Sequence, residues 1–510
     1  MNQRSEILTA DLRDLIRQLG RDGGLLSPSV YDTAQVSRFA PPVEGVWGAL
    51  EWLLDQQQAD GGWGDPDAPL ARHVPTLAAV LAIKHHSGRK ISLEAIQRGM
   101  VFLSQTATQW LGELPDDLPV GIELTLPALL DTANQMGLYL PYKLYAPLQA
   151  LGARRRTLIE RMTPLAGSTP AHSWEALAGP ADLGWLDASG GIGHSPAATA
   201  AWRQRAGFAP ETADQRAAAE RYLQQAMASV GHPMPGIMPT VWPINRFEQS
   251  FGLYVLLITG LLDHPGLRAA ELLADLQSAM TPAGLGMSDT FMADGDDTAA
   301  ACAVLWHSGR PVGPAALLGF KHDRHFSTYP WELQRSLSVT ARATHALSIS
   351  GRDTSDSQAF LVEQQQPDGR WPADKWNNSW LYNQLHAICA LAPDHHAALS
   401  NAAHALLIYQ RADGGWGCGR AATAEETAYA TIALVKLLGH GIVPDAIRQA
   451  LQRAYRWQLD GYTPFKDPQR STWLGKEMYI PRRVSRIFIA ASLLMLARLD
   501  EEGGHGFRAA

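Results

Sequence analysis

The chain is poor in cysteine, in long hydrophobic runs and in clustered basic residues, and each shortage excludes a class of protein. Its 510 residues hold three cysteines, Cys302, Cys389 and Cys418, and no CxxC pair, which favours a reducing compartment over a disulfide scaffold. The longest apolar run, at 251–262, is too short to span a bilayer. The formal net charge of −7, without any basic block, offers no surface suited to nucleic acid or to an anionic membrane.

Signals of a targeting segment and of β-strands are also missing. The segment 1–20 has an amphipathic helix pattern with mixed charge and lacks the apolar core of a signal peptide. Alternating β-branched residues are nearly absent, and the composition, 46% apolar and 18% charged, is that of a folded globular chain. We therefore expect a cytoplasmic, all-α protein of two or more domains that neither binds nucleic acid nor crosses a membrane.

A turn containing Gln, Asp-Gly and Trp recurs along the chain, each time before a helical segment. The strong copies are QQADGGWG at 57–64, QQPDGRW at 365–371 and QRADGGWG at 410–417. Helix pairs joined by such turns cannot bury their apolar faces alone, so they must stack as a solenoid or close into a ring. Trp63, Trp371 and Trp416 are interpreted as structural, with the Gln amide tying neighbouring units together.

The segment FMADGDDTAAA at 291–301 places Asp294, Asp296 and Asp297 directly before an apolar helix. One interpretation is helix capping, for which a single Asp suffices. A calcium loop is excluded because Gly and Glu are missing at its sixth and twelfth positions, and a DDxxD magnesium motif because its last Asp is missing. The second interpretation is proton donation, since crowded carboxyls cannot all ionise cheaply and one has its pKa raised. The residues by themselves leave capping and proton donation equally open.

The sequence DGDDTA resembles the DxDDTA motif of class II terpene cyclases, and further segments match motifs of class II diterpene cyclases in family order. These segments are PSVYDTAQV at 28–36, LPVGIELTLPALL at 118–130, PAHSWEAL at 170–177, MPTVWPINRFEQ at 238–249 and TWLGKEMY at 472–479. Together they span essentially the whole chain and most resemble the bacterial copalyl diphosphate synthases.

The resemblance implies two α/α-barrel domains, called β and γ, with γ inserted after the first helix of β. It places the first β helix and the YDTA segment at 1–35, the γ domain at 36–224 and the remainder of the β domain, with the DxDD motif, at 225–510. The active site is expected between the two domains. Family chemistry is protonation-initiated bicyclisation of geranylgeranyl diphosphate with the diphosphate retained.

The resemblance also implies roles for the acidic cluster. Asp296 is the expected general acid for the terminal C=C bond at C14–C15, and Asp294 and Asp297 are expected to orient its proton and carry charge after transfer. The carbocation then needs an apolar cavity with aromatic faces. The candidate lining residues are Trp242, Phe291 and Trp331.

The family pattern ends the reaction with a His and an Asn that hold a water. His172 matches the His, but Thr240 stands where the Asn is expected, and a Thr hydroxyl is shorter and cannot donate two N–H bonds. A copalyl-type (labdane) diphosphate is the leading product, and a hydroxylated or rearranged clerodane- or halimane-type product is the alternative. The Asn expected beside the catalytic Asp is also missing, and Arg342 or Ala343 lies nearest to its position.

Diphosphate binding is expected to use Mg²⁺ together with basic residues, since hard oxygen ligands suit this ion. The acidic segment associated with Mg²⁺ is matched by Asp116, Asp117 and Glu123. The expected diphosphate-binding basic residues are Lys476, which matches a position of the family motif, and more weakly Lys375, Arg482 and Arg483.

No class I motif is present, so the product is expected to pass as a diphosphate to a separate class I diterpene synthase. Three alternatives were weighed. A squalene–hopene type cyclase is opposed by the short chain and the YDTA signature, and a protein prenyltransferase subunit by the lack of a readable zinc site. A catalytically silent α-toroid that binds partners is opposed by the three retained aspartates and His172.

Overall fold

A computed structural model of the chain describes residues 3–43, 45–86, 90–163, 165–332, 335–442 and 444–502. These residues are almost entirely helical. The α-helices are α1 (Gln3–Gln18), α2 (Val30–Phe39), α3 (Trp47–Asp55), α4 (His73–His86), α5 (Lys90–Thr106), α6 (Ile122–Gln135), α7 (Ala146–Ile159), α8 (Pro196–Ala206), α9 (Ala213–Val230), α10 (Asn245–Ile258), α11 (Ala270–Ala279), α12 (Gly295–His307), α13 (Ala315–Leu318), α14 (Leu337–Ile349), α15 (Ser355–Glu363), α16 (Trp380–Ala390), α17 (His396–Ile408), α18 (Ala424–Gly439), α19 (Pro444–Gly461) and α20 (Arg482–Glu502).

Strand structure in these residues is limited to two short antiparallel pairs. Strand β1 (Lys321–His322) pairs with β2 (His325–Phe326), and β3 (Trp473–Leu474) pairs with β4 (Met478–Tyr479). The prediction of an all-α protein is therefore confirmed.

Six helices of the C-terminal part form a closed inner ring. Helix α10 packs against α12, and α14, α16, α18 and α20 follow in turn until α20 returns to α10. Helices α11, α15, α17 and α19 pack on the outside, and α1 packs against α20. The N-terminal helix thus belongs to this larger ring, whose core is one continuous apolar cluster.

A second, smaller ring is built from the part of the chain between α1 and α10. Its inner elements are α2, α4, α6, the 3₁₀ helix Pro170–Ala176 and α8, which packs back on α2. Helices α3, α5, α7 and α9 lie outside. Along the chain, the elements of the larger ring are therefore interrupted by those of the smaller one. The predicted limits at 35/36 and 224/225 fall inside α2 and α9, and the domain limits stay a prediction.

The repeated turns have the same geometry in all three copies. Each Trp indole donates a hydrogen bond to a backbone carbonyl ten residues earlier, at 2.6–2.8 Å. Each Gln amide donates to the turn itself and to the next outer helix; Gln365, for example, reaches the carbonyls of Gly369 and Ala398 at 3.0 and 2.9 Å. The structural interpretation of the repeats is confirmed, since these bonds tie each turn to the following helix.

Candidate active site

The acidic cluster begins helix α12, and its three carboxyls have different surroundings. Asp294 is the N-cap: one carboxyl oxygen accepts from the backbone N–H of Asp296 at 3.0 Å and of Asp297 at 2.7 Å. Asp297 accepts a hydrogen bond of 2.6 Å from the Ser250 hydroxyl on α10. Capping and acid chemistry are therefore compatible, because one aspartate caps the helix and leaves Asp296 free of that task.

Burial separates the three aspartates further. Asp294 and Asp297 are buried, whereas the Asp296 side chain keeps 14% of its surface exposed. Burial, followed by the charge of Asp297, raises the pKa of Asp294 well above its usual value. Burial also raises the pKa of Asp297 to about 6, against the opposing hydrogen bond from Ser250. The crowded carboxyls thus resist full ionisation, and Asp296 is the one that an approaching molecule can reach.

Arg342, on α14, forms an ion pair with Asp296. Its side chain is fully buried, and its guanidinium lies 4.5 Å from the Phe251 ring centroid. Of the two residues nearest the expected Asn position, Arg342 rather than Ala343 therefore contacts Asp296. An Arg in this place supplies a fixed positive charge, which an Asn would not.

His172 has a defined tautomer. Its Nδ1 lies 2.8 Å from the Gly193 carbonyl oxygen, which only accepts, so Nδ1 carries the proton and Nε2 has a free lone pair. Burial, and then the charge of Lys476, lower the pKa of His172 to about 3, so the imidazole is neutral at physiological pH.

Thr240 belongs to the segment that packs beside the same turn, since Trp242 N–H donates to the His194 carbonyl at 3.0 Å. The Thr240 hydroxyl is buried and has no hydrogen-bond partner among the described residues. A buried hydroxyl without a partner is costly, so this oxygen suits a water or a substrate group.

Three of the residues predicted to handle the diphosphate are brought together at one edge of the two rings. Lys375 pairs with Glu332, and the negative charges of Asp117 and Glu123 also act on its ammonium group. Burial lowers the pKa of Lys375 to about 8. Partial desolvation of the Asp117 carboxyl group, followed by the charge of Asp374, raises the pKa of Asp117 to about 6.

The predicted magnesium ligands do not form a ready-made metal site. Glu123 forms an ion pair with Arg155, whose guanidinium nitrogen lies 3.0 Å from the carboxylate oxygen, and Asp116 is exposed. Across the described ranges, no three His, Cys, Asp or Glu side chains converge as metal ligands.

Comparison with known proteins gives full-length similarity. The chain is 46% identical over 507 residues to the (+)-kolavenyl diphosphate synthase of Herpetosiphon aurantiacus, covering 96% of this chain and 97% of that protein. It is 34% identical to the ent-copalyl diphosphate synthase of Streptomyces sp. strain KO-3988, covering 97% of each chain. The chain belongs to the class II diterpene cyclase family. No family model matches it.

The fold of the cyclase agrees with this assignment. The ent-copalyl diphosphate synthase structure from Streptomyces platensis superimposes with a TM-score of 0.79 at 30% identity, covering 97% of this chain and all of that one. The predicted βγ architecture is thus confirmed. Among the described residues of the cyclase, no helix combines the length and apolar character needed to cross a membrane.

Aromatic rings of the cyclase gather beside the acidic cluster, and the sequence analysis did not single them out. Phe247 and Phe251 on α10 lie 4.3 Å apart, and the Trp473 ring lies 5.4 and 5.6 Å from them. Tyr382 lies 5.2 Å from Trp473. Phe247 and Phe251 are four residues apart on one helix, next to a family motif. This spacing is the sequence signal that could have indicated the aromatic cluster.

The three aromatic residues that were predicted to line the cavity have different surroundings. Trp242 packs in the smaller ring, 5.4 Å from Tyr222, with its indole donating to the Asp22 carbonyl. Trp331 is 55% exposed. Its ring stacks on that of Tyr329, with the centroids 6.2 Å apart, and the lining role of Trp242 and Trp331 stays a prediction. Phe291 is buried at 9% exposure, and its ring lies 4.7 Å from that of His194, beside the His172 turn.

Three of the basic residues predicted to bind diphosphate have internal partners. Lys476 is buried between the rings, with its ammonium 2.8 Å from both the Glu175 carboxylate and the Ser195 hydroxyl. Arg482 lies 3.6 Å from Asp467, and Arg483 binds a glutamate on α10. Lys476 therefore joins the two rings in this structure, and Lys375 likewise has an internal partner, Glu332, so diphosphate binding by these residues stays a prediction.

Proposed function

We propose that the protein converts geranylgeranyl diphosphate into a rearranged, clerodane-type bicyclic diphosphate, with the diphosphate retained. The observation that carries the proposal is an Asp296 carboxyl that is partly exposed within an otherwise buried acidic cluster. The sequence motifs favour an unrearranged copalyl-type product. The 46% identical relative is named for kolavenyl diphosphate, which is of clerodane type, and it supports the alternative instead.

Initiation is proposed to be proton transfer from Asp296 to the terminal alkene of the substrate. The Asp296 O–H bond breaks, a C–H bond forms at the alkene, and a carboxylate and a tertiary carbocation remain. Asp294 and Asp297 support this step because their resistance to ionisation limits the negative charge of the cluster. Proton donation by a positioned acid contributes about 10²–10⁴ in rate.

Propagation requires surfaces that stabilise a moving positive charge without reacting with it. The faces of Phe247, Phe251 and Trp473 offer this next to the acid. A neutral ring cannot trap the cation as a carboxylate or an amine would, so the chain of ring closures can continue.

Termination is proposed to involve His172 and Thr240. A water held between the His172 Nε2 lone pair and the Thr240 hydroxyl accepts the last proton, which His172 can take because it is neutral. With Thr in place of Asn, the water is held by fewer hydrogen bonds, so deprotonation is slower. Hydride and methyl shifts then precede it, which gives a rearranged skeleton.

The diphosphate is proposed to lie near Lys375, with Asp117 and Glu123 close by. The family resemblance implies that a magnesium ion would accompany the diphosphate there. The sequence has no DDxxD motif, so the product is proposed to leave as a diphosphate and to serve a separate class I diterpene synthase.

The test is incubation of purified enzyme with geranylgeranyl diphosphate and Mg²⁺, followed by phosphatase and mass-spectrometric identification of the alcohol. A clerodane-type alcohol is expected, whereas an unrearranged copalyl-type alcohol would restore the first expectation. Recovery of geranylgeraniol alone would favour a catalytically silent toroid.

Asp296→Asn is expected to lower turnover by about 10²–10⁴ without changing the circular dichroism. Asp394→Asn, an exposed surface change, is the matched control and should be fully active.

A further inference from the structure

Arg342 is a buried cation with no role in the chemistry described so far. Its side chain has no exposed surface, and its guanidinium pairs with Asp296. The ring centroids of Phe251, Tyr254 and Tyr382 lie 4.5, 5.5 and 5.7 Å from its central carbon. Aromatic rings attract a cation but do not neutralise it, and a buried charge needs a partner of opposite sign. Asp296 is the carboxylate in contact with it.

The polar groups that fix the guanidinium are uncharged. One terminal nitrogen donates to the Tyr382 hydroxyl and lies 3.2 Å from Nε2 of His386. Burial lowers the pKa of His386 well below its usual value and that of His345 to about 3. Burial also raises the pKa of Tyr254 well above its usual value and that of Tyr382 above its usual range. These groups hold Arg342 in place and leave its charge directed at the acid.

The acidic neighbours of Asp296 are also surrounded mainly by uncharged groups. Burial, with the nearby acidic charges, raises the pKa values of Tyr329 and Tyr479 above their usual range. The titratable groups that face the acidic cluster and Arg342 are Asp294 and Asp297 of α12, Tyr254 of α10, His345 of α14, Tyr382, His386 and Cys389 of α16, Tyr479 of β4, and Tyr329 from the loop before α14.

We propose that Arg342 is a positioning residue that holds the Asp296 carboxyl in place and sets its strength as an acid. This inference rests on the proposed function. When Asp296 gives its proton to the alkene, negative charge develops on the carboxyl beside a guanidinium that is already oriented. A charge arranged in advance stabilises the transition state more than the neutral acid, so it accelerates the step.

The same contact has an opposite effect on the supply of protonated acid. A positive charge favours the carboxylate form, so Asp296 loses its proton at a lower pH than it would beside a neutral side chain. Asp294 and Asp297 act against this. Turnover should therefore fall on the alkaline side of the pH profile where Asp296 ionises, and the position of that fall reports the charge at residue 342.

The test compares the pH dependence of kcat in wild type, Arg342→Gln and Arg342→Lys. In Arg342→Gln the alkaline fall should move up by about 1–3 pH units, as expected for loss of an opposite charge in contact. Its maximal kcat should drop by roughly 100-fold, the size of effect that a misplaced reacting group produces. Arg342→Lys keeps the charge and should keep the wild-type position of the fall, with a smaller loss of kcat.

The matched control is Arg72→Gln in the smaller ring. Arg72 is also a buried Arg with a carboxylate partner, Asp60, and an aromatic ring, Phe102, 4.4 Å away. The Arg72→Gln variant should keep the pH at which kcat falls at the wild-type value. A variant that only loses stability should also keep this pH. An Arg342→Gln enzyme whose fall stays at the wild-type pH would overturn the proposal, whatever its rate.

A second measurement covers the case in which Arg342→Gln does not fold. Infrared difference titration of wild type against Asp296→Asn isolates the Asp296 carboxyl band. Difference titrations against Asp294→Asn and Asp297→Asn identify the bands of those two carboxyls in the same way. The proposal requires Asp296 to lose its proton at a lower pH than Asp294 and Asp297, and the reverse order would contradict it. This titration needs no substrate. If wild type fails to cyclise geranylgeranyl diphosphate, the proposed function fails, and the Arg342 contact is still tested separately.

Discussion

Thr240 is the side chain proposed to decide the product without affecting the start of the reaction. Its hydroxyl is buried without a hydrogen-bond partner among the described residues, next to the turn that holds His172. The carboxyls proposed to begin the reaction lie on another element, α12. In this proposal initiation and termination depend on separate residues and can vary independently.

Thr240→Asn is expected to move the products toward unrearranged, copalyl-type diphosphates. The Asn amide adds two N–H donors and holds the terminating water more firmly, so deprotonation occurs before hydride and methyl shifts. The measurement is the ratio of the two alcohol classes after phosphatase treatment. Thr240→Ser keeps the hydroxyl and should keep the wild-type ratio. An unchanged ratio in Thr240→Asn would show that this position does not control termination.

The repeated turns are the elements that fix the spacing of the rings. In each copy the second residue of Asp-Gly has a positive φ, between 85 and 101°, and lies against the backbone of the next outer helix. A Cβ atom on Gly369 would come within 2.2 Å of the Asn401 carbonyl oxygen. Glycine is required here both by the conformation and by the close approach of α17.

Gly369→Ala is therefore expected to lower the free energy of unfolding by about 1–3 kcal/mol or more, the cost of a strained backbone residue. Chemical denaturation followed by circular dichroism measures this change. Gly313→Ala serves as the control, because Gly313 is exposed, has no positive φ and has nothing within 4 Å of the added atom. Equal stability of the two variants would mean that the turn tolerates a side chain.

At the scale of the whole molecule, several family motifs meet at the junction of the two rings. The carboxylate of Glu477, from the segment of β4, accepts from the Tyr31 backbone N–H at 3.0 Å and from the Ser29 hydroxyl. Asp32 accepts from the Ala197 backbone N–H at 3.0 Å. Burial raises the pKa values of Asp32 and Glu477 to about 7 each. The junction is thus rich in buried acids that keep their protons at mildly acidic pH.

This junction predicts that stability falls as the pH rises. Asp32 ionises near pH 3.9 in the unfolded chain but near 7 in the folded one, so its favourable contribution is complete below about pH 4 and is lost as the pH rises to about 7. Asp32→Asn cannot ionise. Between pH 5 and pH 8, the free energy of unfolding of wild type should fall by on the order of 2 kcal/mol relative to that of Asp32→Asn.

The measurement is urea unfolding of wild type and Asp32→Asn at the two pH values. Asp394→Asn, which changes an exposed acid, should follow wild type at both. A constant difference between Asp32→Asn and wild type across this range would show that Asp32 does not hold its proton in the folded protein.

The helical class, the repeated turns, the acid motif and the departure at Thr240 can all be read from the amino-acid sequence. Each depends on a short stretch of chain: a hydrophobic period, a Gly that permits a turn, or a set of carboxyls at the start of a helix. Such features are local, so adjacent residues are enough to reveal them. The N-cap role of Asp294 belongs here too, since its bonds reach only two and three residues along the chain.

Contacts between side chains that are distant in the chain depend on how the helices pack. Arg342 contacts Asp296 because α14 packs beside α12 in the ring, and Phe251 joins them from α10. Lys476 matches a family motif, yet the closing of two rings buries it against Glu175, which is 301 residues away in the chain. Burial and charge pairing depend on these long-range contacts, and residue identity alone does not contain them.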